Sequence, residues 1–187
     1  MPEEMRKEEQ STTKEKRKKA LRELRTFAGI FVLAFLLLHV IISIHPVPSS
    51  SMEPTIKAKS IICLYRLPYV LGDPAPSRGE VVVFYDKEDE ALVIKRVIGV
   101  SGDTISFQDG YVYLNGELLE EPYLKEQGRT FSDISEFVVP EGSFFAMGDN
   151  REDSFDSRHY SAHFISYDSV YGKCFSVAGA GKREEGV

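Results

Sequence analysis

Ser51 lies in Pro48-Ser49-Ser50-Ser51-Met52-Glu53-Pro54-Thr55, a polar turn fenced by two prolines. A serine hydroxyl is a poor nucleophile until a neighbouring base takes its proton. The chemistry open to this chain therefore turns on which base can reach it. Of the four histidines, His39 falls inside an apolar run and His45 just after it, while His159 and His163 sit in a late polar stretch and are candidate bases. Lys95 offers different chemistry. It interrupts Leu92-Val93-Ile94-Lys95-Arg96-Val97-Ile98, where strand geometry puts it on one face with Val93 and Val97. A charge on an apolar face is costly unless it is exposed, paired or neutral. A lysine base must be neutral, its pKa brought from about 10.4 toward 7–8, a change of roughly 3–5 kcal/mol that desolvation can supply. The plainer alternative is an edge strand whose lysine discourages aggregation. A Ser-x-x-Lys spacing at Ser11–Lys14 sits in a charged tail with no core around it and is read as chance.

A third polar cluster runs Met147-Gly148-Asp149-Asn150-Arg151-Glu152-Asp153-Ser154-Phe155-Asp156-Ser157-Arg158. Alone it suits a loop after a strand. Asp149 and Asp153 invite a calcium reading, but EF-hand spacing is missing. There is no Cys-x-x-Cys and no His/Cys spacing for zinc, so neither a metal nor a cofactor is expected. Cys63 and Cys174 read as core cysteines, although an oxidising compartment would allow a disulfide.

The elements that must position these groups begin with an anchor. Residues 1–25 form a charged tail with nine Lys/Arg and six Glu. Thr26 to Ile44 then carries no formal charge with His39 neutral, and as a helix it would span about 28 Å, close to a bilayer's hydrocarbon thickness. A cleavable signal peptide would want a shorter apolar core and a small-x-small site, which His45-Pro46-Val47-Pro48 does not provide. A buried core helix is seldom apolar on all faces over such a length. One transmembrane helix over residues 26–46 is expected, its basic flank keeping the N-terminus cytoplasmic and placing the remainder outside. The basic tail could also touch anionic lipid. Beyond the anchor the net charge is −9, which argues against nucleic acid.

Residues 47–181 read as short strands with frequent turns: 60–65, 80–85, 92–100, 104–107, 111–114, 137–139 and 143–147, with Asp109-Gly110 and Asn115-Gly116 as hairpin turns. Residues 71–79 read as a loop and 123–135 as a polar surface loop. The expected class is mainly β, a compact antiparallel barrel- or sandwich-like domain after one transmembrane helix. Residues 182–187 are expected to be a frayed tail.

Taken in order after an anchor, Ser51-Met52-Glu53-Pro54-Thr55, Arg78-Gly79-Glu80-Val81-Val82-Val83-Phe84, Ile94-Lys95-Arg96-Val97-Ile98-Gly99-Val100-Ser101-Gly102-Asp103 and Gly148-Asp149-Asn150-Arg151 through Asp156-Ser157-Arg158 closely resemble type I signal peptidase. Tyr113-Leu114-Asn115-Gly116 and Glu121-Pro122-Tyr123-Leu124 are similar to that family as well. The resemblance covers roughly residues 27–175. It implies a membrane-bound serine endopeptidase that removes signal peptides from preproteins. It implies Ser51 as nucleophile, Lys95 as general base, and the Ser49 hydroxyl with the Ser51 N–H as oxyanion donors. Ser154 would position the lysine, Asp156 and Arg158 would form a supporting ion pair, and Asp149 with Arg96 would brace the loop. Family members favour small residues at −1 and −3, for which Val47, Met52, Ile56, Val93 and Ile94 are candidate pocket residues. Leu64 to Leu71 is a candidate apolar patch near the lipid bilayer. Set close to the anchor, Ser51 would meet a substrate that is itself in the membrane, which converts a search into positioning.

The family usually shows Gly-x-Val-Pro soon after Asp-Ser-Arg. This chain has His159-Tyr160-Ser161-Ala162-His163-Phe164-Ile165-Ser166 instead, and Cys174 where a small residue is usual. A self-cleaving repressor also uses Ser-Lys chemistry but would be soluble with a DNA-binding unit. A conjugation or organelle processing peptidase differs mainly in substrate. A tethered β module that binds exported chains without cutting them is the non-enzymatic alternative.

Overall fold

The computed structural model describes residues 3–72, 74–88 and 90–178, with the side chains of residues 3–14, 37 and 39 excepted. The chain divides into two units, Met1–Ile41 and Ile42–Val187. The first is a helix, α1 (Glu3–Ile41). Among the described residues no helix is long and apolar enough to cross a membrane. The stretch expected to do so contains Leu37 and His39, whose side chains lie outside the described residues, as do residues 182–187 entirely.

The helix also stops earlier than the 26–46 span expected. Ile42–Pro46 forms β1, which pairs antiparallel with β2 (Ile61–Tyr65) from Ile42↔Tyr65 to Pro46↔Ile61. The β-branched run Val40-Ile41-Ile42 favours extended backbone, and Pro46 cannot continue a helix but is tolerated on an edge strand. The described residues after β1 are mainly antiparallel β, as the turn-rich sequence led us to expect. They add α2 (Leu67–Leu71), β3 (Val81–Asp86), β4 (Ala91–Val100), β5 (Thr104–Gln108), β6 (Tyr111–Leu114), β7 (Glu117–Leu118), β8 (Phe137–Val138), β9 (Ser143–Met147), β10 (Ile165–Ser166) and β11 (Val170–Ala178). One sheet runs β1-β2-β11-β3-β4-β9-β10 and the other β7-β6-β5-β8. The two hairpin turns need left-handed backbone, and Asp109, Gly110, Asn115 and Gly116 all have positive φ.

β4 lies between β3 and β9 from Arg96 onward, while Lys95 itself pairs with β3 alone; its burial, rather than a central place in the sheet, sets it apart from a solvent-facing edge lysine. Four strands went unseen in the sequence. β1 reads as the end of the anchor, β7 and β10 have only two residues each, and β11 carries Gly172, Lys173 and Ser176 among its apolar positions. Tertiary pairing with β2 and β3 makes β11 a strand. The same register explains the cysteines, both of which are free. Cys174 sits opposite Leu64 and packs with its core face, whereas Cys63 sits opposite Ser176, one residue along and on the other face. Burial pushes the Cys174 thiol up.

One core cluster matters most for the site: Val47, Met52, Ile56, Ile62, Leu64, Val83 and Ile94.

Candidate active site

Ser51 is held by its neighbours' burial. Val47 is pinned through its N–H to Ser60 O (2.9 Å) and accepts from Lys59 N (2.7 Å). Glu53 N donates to Ser50 O at 3.0 Å and Ile56 N to Met52 O at 2.8 Å, closing a tight turn. Met52 is wholly buried, so the turn is plugged into the core on either side of the serine. Val47, Met52 and Ile56 pack with Ile94 in the core cluster next to the site.

Lys95 meets Ser51 from β4. Its backbone pairs with Val82 of β3, while pairing with β9 begins only at Arg96↔Met147. Lys95 is thus just beyond the point where β9 leaves β4. Its Nζ donates to Ser51 Oγ at 3.0 Å, and each residue is only 5% exposed. Ser49 Oγ lies 3.3 Å from Ser51 Oγ.

The polar loop after β9 wraps the serine's backbone. Asn150 N donates to Ser51 O at 3.0 Å, and Asn150 Nδ2 to Ser50 O at 3.2 Å. The Ser50 hydroxyl donates to Asp153. A Cβ at Gly148 would overlap both Ser51 O and Ser154 Oγ, so only glycine allows this approach. Asp149 accepts from Arg96 Nε (2.8 Å), Arg96 Nη2 (2.6 Å) and the Thr55 hydroxyl (2.5 Å). Burial pulls the Arg96 pKa down, but the hydrogen bonds and charge of Asp149 outweigh it and the net direction is up. Arg158 Nε and Nη2 reach Asp156 at 2.9 and 3.0 Å, and Gly148 N donates to the same carboxylate at 3.0 Å. Burial alone would raise Asp156; Arg158, Gly148 N–H and the Ser154 hydroxyl together hold it below the usual carboxylate range. Ser154 is buried with this group.

An open cleft reaches Ser49, Ser51 and Lys95 and is lined also by Val93, Ile94, Phe155 and His159. Val93 and Ile94 thus belong to the wall. His159 turns Nδ1 toward Asp156, whose backbone N–H donates to it at 3.4 Å, and stacks on Phe155. His163 Nδ1 pairs with Ser157 O at 2.9 Å. Neither is hydrogen-bonded to Ser51 among the described residues. The calcium reading loses its ligands, because Asp149 is taken by Arg96 and Thr55 and Asp153 by Ser50. Among the described residues no His/Cys/Asp/Glu group is arranged to hold a metal.

Sequence reasoning did not single out Gly148, Asn150, Arg151, Thr55 or Glu121. All five were quoted within motifs, but nothing in their spacing distinguishes a backbone clamp or a buried ion pair from a turn.

Residues 20–178 match the family model described as signal peptidase, peptidase S26. The chain is 34% identical over 173 residues to signal peptidase I of Bacillus caldolyticus, covering 86% of this chain and 91% of that relative. It is 35% identical over 153 residues to signal peptidase I U of Bacillus subtilis (strain 168), covering 77% and 81%. A crystal structure of a signal peptidase I from Enterococcus faecalis V583 is similar at 34% identity and a TM-score of 0.45, over 52% of this chain and 95% of that one.

Proposed function

This chain belongs to the signal peptidase, peptidase S26 family and is a serine endopeptidase, and we propose that it removes signal peptides from exported preproteins with a Ser51–Lys95 dyad. The observation that carries the dyad is the 3.0 Å contact between Lys95 Nζ and Ser51 Oγ at a site where both residues are buried.

Burial disfavours the ammonium form of a lysine. With the amine neutral, the same contact runs in reverse and the Ser51 hydroxyl donates to the Nζ lone pair. Attack of Oγ on the scissile carbonyl carbon transfers that proton to Lys95. The negative oxygen that develops is met by the Ser49 hydroxyl and the Ser51 N–H, donors that act on charge present only in the transition state. Collapse of the intermediate breaks the C–N bond, and Lys95 returns the proton to the departing amine. The mature protein leaves and the signal peptide stays as an ester on Ser51. Water, deprotonated by Lys95, attacks that ester and releases the peptide as a carboxylate. Ser154 and the Asp156–Arg158 pair position the lysine side of this exchange, while Asp149 and Arg96 brace the loop from beneath.

Substrate docking follows from the sheet. Ala91–Ile94 pairs with β3 on one edge, and β9 leaves the other edge open along the cleft. An extended peptide can add there as a strand. Alternate side chains of a strand face the same way, so residues −1 and −3 would point together to one face of β4, which gives paired selection of small residues a geometric basis.

We further propose that the chain is a single-pass membrane protein with its catalytic domain outside. Phe27, Ile30, Phe31, Leu33, Phe35 and Leu36 are all more than half exposed on α1, a surface suited to hydrocarbon rather than water. Within the second unit, Val70, Leu71, Ile44, Ile61 and Phe175 are exposed apolar groups that suit lipid contact, whereas Leu64 of the expected patch is buried. Cleavage of a signal-peptide-bearing preprotein by the detergent-solubilised chain tests the reading. Ser51→Ala and Lys95→Met are expected to be inactive yet folded, and a Ser51→Ala enzyme that still cuts would refute the assignment.

A further inference from the structure

The segment between β7 and β8 supplies none of the reacting groups, yet it is tied to the loop that holds Ser51. Glu121 is 5% exposed, and its carboxylate receives Arg151 Nη1 at 3.0 Å and Nη2 at 2.5 Å. Arg151 Nη1 also donates to the Thr130 hydroxyl at 2.5 Å, and its Nε donates to Gly148 O at 3.0 Å. Tyr123 donates its hydroxyl to Glu121 at 2.7 Å and lays its ring against the Arg96 guanidinium, 3.9 Å from Cζ to the centroid. Arg96 grips Asp149. These contacts close a circuit from Gly148 through Arg151, Glu121, Tyr123 and Arg96 back to Asp149. The residue it encloses, Asn150, donates to Ser51 O.

A buried ion pair is a poor source of stability, because desolvation offsets its attraction. What a closed set of buried, directional contacts supplies is fixed geometry. The two ends of the four-residue loop 148–151 are each held by a charged pair, and both pairs meet on the 121–123 segment. We propose that Glu121 and Tyr123 are positioning residues for the cleavage reaction: they hold residues 148–151 in the placement that sets the Ser51 backbone. The inference rests on the Ser51–Lys95 reading given above. Neither residue touches substrate; each acts through Arg151 and Arg96.

The test uses the full chain in detergent, with a signal-peptide substrate and amide hydrogen exchange measured side by side. Glu121→Gln keeps the shape and removes the charge, Glu121→Asp keeps the charge on a shorter arm, and Tyr123→Phe keeps the ring but loses the hydroxyl. Displacing a catalytic frame by about 1 Å costs about 10²-fold, so Glu121→Gln is expected to lower kcat by about that factor. KM should stay within about twofold, because only reacting-atom geometry changes. Glu121→Asp should recover part of the loss and Tyr123→Phe should fall between. Exchange at the Asn150 amide should speed up in Glu121→Gln, while exchange along Tyr111–Leu114 stays as in the wild type. A purely structural role would lower the melting temperature and leave kcat and Asn150 exchange unchanged, and that result overturns the proposal. If Glu121→Gln does not fold, Tyr123→Phe decides: wild-type kcat with unchanged Asn150 exchange overturns it. Failure of the wild type to cleave would instead sink the functional reading, with Asn150 exchange still deciding whether the segment and loop are coupled.

Discussion

Gly148→Ala is the smallest change that should disable this site. The Gly148 backbone is not left-handed, so the glycine serves space rather than φ. An added Cβ would stand 2.6 Å from Ser154 Cβ and closer still to Ser154 Oγ and Ser51 O. Carbon atoms pack at about 3.5–4.0 Å, so something must move by roughly 1 Å. One side of the clash is backbone, the carbonyl of the nucleophile itself, and the other is the serine assigned to Lys95. Neither can yield without disturbing the dyad. Overpacking of this size costs about 1–3 kcal/mol of stability, which the domain should survive, whereas misplacing reacting groups by 1 Å costs about 10²-fold in rate. Steady-state cleavage of a signal-peptide substrate, with thermal melting on the same samples, separates the two effects. The expected outcome is a folded protein with kcat down by about two orders of magnitude. Wild-type kcat in Gly148→Ala would show that neither Ser51 O nor Ser154 is placed as critically as argued.

Ser49→Ala removes one oxyanion donor and should lower kcat by about 10²–10³ with KM little changed; a loss confined to KM would place Ser49 in substrate binding instead. His159→Ala and His163→Ala, singly and together, should retain most activity in the same cleavage assay. A dead double mutant beside an active Lys95→Met would establish a Ser-His mechanism. Asp156 is held below its unfolded pKa of about 3.9, so the stability it contributes is complete above that value and is lost as pH falls through the lower folded one. Acid unfolding followed by circular dichroism should therefore be less steep in Asp156→Asn, and an unchanged acid limb would count against the Arg158 pairing.

Much of the β architecture was legible because short apolar runs rich in β-branched and aromatic residues and Asp-Gly or Asn-Gly turns are local signals. β3, β4, β5, β6 and β9 all fall where such runs stand. What was not legible was set by distant partners. β1 reads as the end of an apolar helix, and only its pairing with β2 makes Ile42–Pro46 a strand. β11 mixes polar and apolar residues and becomes a strand through neighbours a hundred residues upstream. The site was divided in the same way. Ser51 and Lys95 could be singled out because a proline-fenced serine and a lysine on an apolar strand face are each out of place. Val47, Met52 and Ile56 are apolar wherever they point, so sequence alone could not show that they pack with Ile94 in one core cluster. Glu121 stood in a family-like segment, but nothing marked its role, since a buried carboxylate looks like a surface one until Arg151 is seen against it.

The dyad itself is tested most directly by acylation of Ser51. A serine-directed acylating probe, mixed with wild type and with Lys95→Met across a range of pH, labels the nucleophile, and mass spectrometry locates and times the adduct. The account predicts a single adduct on Ser51 in the wild type, forming faster as pH rises through a Lys95 pKa below the ordinary 10.4 or so, and no adduct on the same timescale in Lys95→Met. Labelling of Ser51 in Lys95→Met at the wild-type rate, or an adduct on a different residue, would contradict it.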